Sequence, residues 1–126
     1  MVRLAVLIVD DLGSAEDVVQ EAFVSLHRNQ DRVRIPETAL GYVRAAVVNG
    51  CRSQLRHRAV VRRTLHLVAD DDEGRQRELF DSVGVDTEML AAVRALPHRM
   101  REVLVLRYWS DLDEAQIAAA LGISPG

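Results

Sequence analysis

Aromatic side chains are scarce in this sequence, at 4% of 126 residues, and lysine is absent altogether. Because 48% of the residues are apolar, a core is feasible, but it must be built from Leu, Val, Ala and Ile. Small helical bundles use that composition more often than sheets do. Three prolines and seven glycines leave long stretches free to be helical, so we expect an all-α fold.

Cysteine occurs once, at Cys51, which excludes an internal disulfide and a cysteine metal cluster. Its position within an apolar helical stripe favours a core residue over a nucleophile. The four histidines share no metal-ligand spacing, and the sequence contains neither a glycine-rich phosphate loop nor a nucleophile elbow. We therefore expect no catalytic residue, no cofactor and no metal.

Long apolar runs are also missing, since no stretch reaches the about 18 residues that a membrane-spanning helix needs. The apolar start, Met1–Val9, leads directly into Asp10 and Asp11 and lacks a small-residue cleavage site, which argues against a signal peptide. The expected protein is cytoplasmic and has no membrane partner.

Positive charge is concentrated in one part of the chain. Residues 41–66 contain six Arg and no acid, whereas residues 67–88 carry two Arg and eight acids, and the whole chain has a net charge of −3. A basic block between acidic ones indicates a polyanionic partner for that segment. Arginine suits bidentate contacts to phosphates and bases, although a GC-rich genome would produce the same bias towards Arg.

Helical periodicity predicts two helices before residue 30. The first covers about residues 2–11 and stops near Gly13, and Ser14 is predicted to be the N-cap of the second, with Asp17 completing a capping box. The second helix is predicted to end near Arg28. Its apolar stripe is Ala15, Val19, Ala22, Phe23 and Leu26.

A third helix is predicted from Pro36 to Arg58, with room to extend to Arg63. Its apolar stripe is Leu40, Val43, Val47, Cys51 and Leu55. Four polar residues share another side of this helix at i, i+3, i+4 and i+7, and we name them the basic stripe: Asn49, Arg52, Ser53 and Arg56. Such a stripe can contact phosphates and base edges. The alternative is a solvated helix face, and the absence of any acid from residue 41 to 69 weakens that alternative.

Residues 67–86 have no periodicity and contain the charge run Asp70–Glu73, so they are predicted to be an acidic linker. Two small helical modules, 1–66 and 87–126, would then flank it. We expect protease to cut the linker first, and the acidic tether is also able to screen the basic stripe.

The second module contains three predicted helices, Thr87–Ala95, Arg99–Trp109 and Asp113–Leu121. A small residue at Ala118 and a turn signal at Gly122 are typical of a helix-turn-helix unit. An ordinary helical hairpin is the alternative interpretation.

Three motifs in this order resemble the extracytoplasmic-function (ECF) class of RNA polymerase sigma factors, within the sigma-70 family. The run SAEDVVQEAF from Ser14 and the run GYVRAAVVN from Gly41 resemble sigma region 2. The run REVLVLRY from Arg101, with the helix-turn-helix after it, resembles region 4. The chain is most similar in character to the actinobacterial SigE-like group.

The resemblance implies roles for particular residues of module 1–66. Three residues of the second helix, Asp17, Gln20 and Glu21, would bind the clamp coiled coil of the polymerase β′ subunit, and we name them the docking patch. The basic stripe would face the minus-10 promoter element. Residues 29–35 would capture an unstacked base of the opened strand, as single-stranded readers do.

For module 87–126, the resemblance implies binding to the polymerase β flap and reading of minus-35 promoter DNA, with Ser124 among the DNA-binding residues. The resemblance also admits an anti-sigma factor as a partner. Region 2 of the family starts with more helix ahead of Leu4, and region 4 continues past Gly126 into a recognition helix. We therefore expect a chain truncated at both ends, with little preference for minus-35 duplex.

Two other functions remain open on the residues alone. One is a two-module DNA-binding regulator that never touches polymerase. The other is a helical interaction protein that sequesters a partner. The resemblance favours a sigma factor that directs RNA polymerase to promoters, and no residue constellation supports an enzyme.

Overall fold

A computed structural model describes residues 1–65, 81, 84 and 86–125 of the chain. These residues contain six complete helices and no strand, which confirms the predicted all-α fold. The predicted acidic linker lies almost entirely outside them, so its interpretation stays a prediction. The helices are α1 (Val2–Val9), α2 (Leu12–Arg28), α3 (Pro36–Leu65), α4 (Thr87–Arg94), α5 (His98–Tyr108) and α6 (Glu114–Leu121). Within this part of the chain, no helix combines the length and the apolar character that crossing a bilayer requires.

Helix α1 is the central element of the fold. Its residues from Leu4 to Val9 are all buried, and it packs against α2, α3 and α5. The helix ends at Val9, so the predicted stop at Gly13 is wrong. Asp10 ends it instead, with a left-handed backbone (φ 60°) and an amide that donates to the carbonyl of Val6. Asp is one of the few residues besides Gly that visit this conformation readily.

Helix α2 begins at Leu12, so the predicted N-cap at Ser14 is also wrong. The N-cap is Asp11, whose carboxylate accepts the Ser14 amide at 2.8 Å. Hydrogen bonding with the side chain of Ser14 lowers the pKa of Asp11 against the opposing effect of burial, and the Ser14 amide and the nearby Arg58 lower it further. Asp10 and Asp11 together turn the chain between α1 and α2, and an aspartate satisfies the free amides of the first turn well.

Two large apolar residues assigned to buried stripes are exposed. Phe23 is 51% exposed and Leu40 is 50% exposed. The buried face of α2 is Ala15, Val18, Val19 and Ala22, which follows the i, i+3, i+4, i+7 spacing. Val18 therefore takes the place predicted for Phe23. On α3, by contrast, Val43, Val47 and Cys51 are buried as predicted, and Leu55 packs partly against the core.

Helices α2 and α3 approach each other closely at Gly50. A Cβ atom at this position would lie 2.7 Å from Cγ1 of Val18, which is shorter than any ordinary contact. The close approach therefore depends on the missing side chain. It brings the exposed side of α2 next to the basic stripe of α3.

Helix α6 is the first helix of the predicted helix-turn-helix, and capping residues define both of its ends. Asp113 caps α6 and forms a capping box with Gln116, in which each side chain bonds the other residue's amide. Gly122 ends α6 with φ 65°, a left-handed backbone that favours Gly. Helices α4, α5 and α6 match their predicted bounds to within one residue.

The parts of the chain before and after the predicted linker pack against each other. Helix α6 lies on α3, and α5 lies on α1. Buried apolar residues of α4, α5 and α6, such as Leu90, Leu106 and Leu121, join those of α1, α2 and α3 in one continuous cluster. The sequence contains no signal for this contact, because apolar faces that meet each other look the same as faces that close separate cores.

Candidate functional site

The basic stripe lies along one side of α3, as its spacing predicts. Asn49, Ser53 and Arg56 are exposed, whereas the side chain of Arg52 is 26% exposed. Ser53 borders a groove between α2 and α3, and Arg52 and Arg56 border a cleft between α3 and α5. The stripe is thus a ridge between two depressions, and its members contact different neighbours.

Arg52 is engaged by a carboxylate from the other half of the chain. Its Nε and Nη2 atoms donate to Oε1 and Oε2 of Glu102 at 2.8 and 2.7 Å, which is a bidentate pair. Its Nη1 atom donates to the carbonyl of Leu121 at 3.2 Å. Hydrogen bonding to Glu102 raises the pKa of Arg52, partly opposed by burial. Three of the five guanidinium N–H donors are therefore already used.

No pattern in the sequence predicts a role for Glu102. It is 2% exposed, and the other buried charged residue in the described part of the chain is Arg101. A buried carboxylate is tolerated when it is paired and hydrogen-bonded. One sequence feature points to such a residue indirectly. Residues 41–66 contain no acid, so an arginine there can form an ion pair only with a carboxylate from another part of the chain.

Arg58, two residues beyond the basic stripe, points towards the corner between α1 and α2. It donates to the carbonyl of Val9 at 2.7 Å and to Oγ of Ser14 at 2.7 Å, and it pairs with Asp11 at 3.4 Å. Arg58 thus satisfies the C-terminal end of α1 and fixes the corner between α1 and α2. Its role here is structural, although it belongs to the run of arginines that suggests a polyanion.

The docking patch is exposed on α2, and two of its three residues face the basic stripe. Asp17 and Glu21 form one wall of the groove between α2 and α3, and Ser53 and His57 form the other, enclosing about 620 Å³. Gln20 is exposed but does not line this groove. The carboxylates and part of the stripe therefore share a single depression.

The loop between α2 and α3 is held in place at its start. The hydroxyl of Tyr42 lies 2.6 Å from Oγ of Ser25 and accepts a hydrogen bond from the Asn29 amide nitrogen at 3.2 Å. Asn29 also donates to the Ser25 carbonyl. From Gln30 to Ile35 the loop residues are exposed apart from Val33, so the surface proposed to capture a base is open to solvent.

Ser124 lies away from the basic stripe and the docking patch. It follows α6, is exposed, and borders a groove of about 640 Å³ with Val103, Tyr108 and Ile123. The residues assigned to polymerase and DNA are thus distributed over two regions of the surface, one for each half of the chain.

Cys51 behaves as a core residue. It is fully buried, and burial raises the pKa of its thiol to about 12, so the reactive thiolate is suppressed. In the described part of the chain, no group of three His, Cys, Asp or Glu side chains is arranged to hold a metal ion.

Two family models match the chain. The model for sigma-70 region 2 matches residues 1–60, which include α1, α2 and most of α3. The model for sigma-70 region 4 matches residues 86–126, which include α4, α5 and α6. No solved structure matches.

Curated relatives from three organisms are sigma factors. The chain is 29% identical to a probable RNA polymerase sigma factor, RfaY, of Xanthomonas campestris, over 96% of the chain and 32% of that protein. It is 28% identical to the RNA polymerase sigma factor SigV of Bacillus subtilis, over 95% of the chain and 70% of the relative. It is also 28% identical to the RNA polymerase sigma-E factor of Streptomyces avermitilis, over the whole chain and 69% of the relative.

These matches, together with the helical fold, define a class of transcription-initiation proteins. The chain belongs to the sigma-70 family, as a sigma factor of the ECF type with region 2 followed by region 4. It spans about a third of the Xanthomonas relative and about seven-tenths of the other two. From here on, region 2 means residues 1–60 and region 4 means residues 86–126, the ranges that the two models match.

Proposed function

We propose that this chain binds core RNA polymerase through the docking patch and the opened minus-10 strand through the basic stripe, in the cytoplasm. The observation that carries the proposal is the shared groove, with Asp17 and Glu21 on one wall and Ser53 on the other. A polymerase element bound to the patch would then lie directly beside the DNA strand that it helps to separate.

The charges of the two surfaces fit two different partners. The patch is acidic and suits a basic protein element such as the β′ clamp coiled coil, whereas the stripe is cationic and suits a nucleic acid. The exposed loop, residues 29–35, adjoins the start of α3 and would receive an unstacked base. Region 4, with Ser124 near its end, would contact the β flap and minus-35 DNA. An anti-sigma factor would be expected to cover one of these surfaces.

Charge reversal on α2 tests the docking assignment. Glu21→Arg should weaken binding of core polymerase, because it places a like charge against a basic partner. Glu16→Arg is the matched control: Glu16 is also exposed on α2 but does not line the groove. Affinity for purified core enzyme is measured by pull-down and by fluorescence titration, and circular dichroism checks that both variants remain helical.

Equal affinities of the two variants would contradict the docking assignment. Failure of the unaltered chain to bind core polymerase at all would contradict the proposed function. The remaining interpretations would then be a DNA-binding regulator or a protein that sequesters a partner.

A further inference from the structure

The contact between the two regions contains a carboxylate that is almost completely withdrawn from water. Glu102 of α5 is 2% exposed, and both of its oxygens accept hydrogen bonds from Arg52 of α3. A charged group at this depth is stable because it is paired. Glu102 therefore depends on Arg52, and on the packing of region 4 against region 2.

The hydrogen-bond acceptors around Arg52 resemble those that DNA presents to an arginine. The Glu102 carboxylate presents two anionic oxygens to the guanidinium, as a phosphate does. The Leu121 carbonyl adds a third acceptor from the C-terminal end of α6, where the helix dipole is negative. Region 4 thus occupies the guanidinium with an arrangement that resembles a nucleic-acid contact.

A second pair of charges joins the regions at another point. Arg101 of α5, 5% exposed, donates to Oδ2 of Asp10 at 3.2 Å and to the Ile8 carbonyl at 3.3 Å, at the end of α1. Arg94 of α4 donates to Oδ1 of the same aspartate at 2.9 Å. Two ion-pair sites and a shared apolar cluster therefore specify one closed arrangement.

We propose that region 4 is an intramolecular competitor for the basic stripe, with Glu102 and the end of α6 occupying Arg52 until the chain opens to bind DNA. The proposal rests on the assignment of the basic stripe to DNA. Asn49, Ser53 and Arg56 remain exposed in the closed form, so the stripe can make a first weak contact. Arg52 becomes available when region 4 departs.

With competition of this kind, the apparent association constant for DNA is that of the open form multiplied by the fraction of molecules that are open. If closure is favoured about tenfold, affinity falls about tenfold, and a change that abolishes closure restores it. By reciprocity, DNA that binds the open form must drive the unaltered chain open.

Energy transfer between two dyes measures closure independently of DNA and polymerase. One dye is placed at His27→Cys on α2 and the other at Ala119→Cys on α6, because both positions are exposed. The native Cys51 is buried and is spared under folding conditions. Titration of the otherwise unaltered labelled chain with a single-stranded minus-10 oligonucleotide should lower the energy transfer. Binding without any change in transfer would overturn the competition.

The variant Glu102→Gln keeps the shape of the side chain and removes its charge. It should lower the energy transfer in the absence of DNA and tighten binding of the oligonucleotide by about tenfold if closure is favoured to that extent. Glu114→Gln is the control, since it removes an exposed carboxylate from the first turn of α6. It should change neither measurement.

The outcomes separate this inference from the proposed function. If Glu102→Gln opens the chain without tighter DNA binding, while Arg56→Ala still weakens binding, the competition is wrong and the DNA assignment stands. If no form of the chain binds the oligonucleotide, both are wrong. Should Glu102→Gln fail to fold, the DNA-induced change in the chain with native Glu102 still decides the question.

Discussion

Arg52 and Arg58 are six residues apart on α3, and sequence alone does not distinguish their roles. Both belong to an acid-free run of arginines, yet Arg58 closes the corner between α1 and α2 while Arg52 pairs with Glu102 across the molecule. The periodicity of α3 predicts which residues share a side of the helix. It does not predict which of them meet a partner from elsewhere in the chain, because such partners depend on tertiary packing. Glu102 is the residue that sequence analysis misses for this reason.

Arg56 provides the clearest test of the basic stripe, because it is exposed and Arg52→Ala would leave Glu102 buried without its partner. Arg56→Ala should weaken binding of single-stranded DNA and lower the salt slope by about 0.7, the contribution of one phosphate contact. Asn49→Ala should instead reduce discrimination among minus-10 sequences with a smaller effect on the slope, because an amide carries no charge.

The measurement is fluorescence anisotropy of labelled oligonucleotides at several salt concentrations. Arg28→Ala is the control, since Arg28 is exposed at the end of α2 and outside the stripe. An Arg56→Ala slope equal to that of the Arg28→Ala control would remove Arg56 from the DNA contact. A minus-35 duplex serves as a further probe, for which we expect little preference.

At the scale of the helices, existence and length follow from sequence more reliably than the ends do. Helix α3 runs to Leu65, near the longer predicted end, and the helices of region 4 match to within one residue. The wrong ends lie between α1 and α2, where the sequence predicts a stop at Gly13 and an N-cap at Ser14. Two aspartates form the turn instead, because Asp tolerates the left-handed backbone and also caps well.

Two glycines in α3 make a matched pair for testing the packing of α2 against α3. Gly50→Ala would place its new methyl group 2.7 Å from Val18, so the helices must move apart, at a loss of about 1–3 kcal/mol. Gly41→Ala meets no atom within 4 Å and should stabilise the same helix by about 0.5–1 kcal/mol. Urea unfolding followed by circular dichroism gives both values. Similar effects of the same sign would show that the helices do not approach closely at Gly50.

At the scale of the whole molecule, the sequence predicts two modules. The structure shows that they pack against each other through one apolar cluster. Leu106 and Leu121 of region 4 lie in the same apolar cluster as Leu7 and Val47 of region 2. Periodicity identifies each of these faces as apolar. It cannot say whether two such faces meet, since that depends on shape and on pairs of residues more than fifty positions apart.

Cleavage of the chain between the regions tests whether they bind each other without a covalent connection. A protease recognition sequence inserted after Gly74 should yield two fragments that still associate, because the shared cluster and the two ion-pair sites do not depend on the connection. Short flexible linkers in general give an effective concentration on the order of 1 mM, so closure favoured about tenfold corresponds to a Kd of roughly 0.1 mM between the fragments. Analytical ultracentrifugation from about 0.01 to 1 mM should show association in that range, and its absence at about 1 mM would mean that the regions are independent. Digestion without the insert also checks whether residues 67–86 are cut first.

The apolar character of the contact between the regions makes closure dependent on temperature. Opening would transfer apolar side chains between α6 and α3 and between α5 and α1 into water, and exposure of apolar surface raises the heat capacity. Hydrophobic stabilisation weakens on cooling, so the closed form would lose part of its advantage in the cold. In a cell that cools, a larger share of these molecules would then be open before any partner arrives.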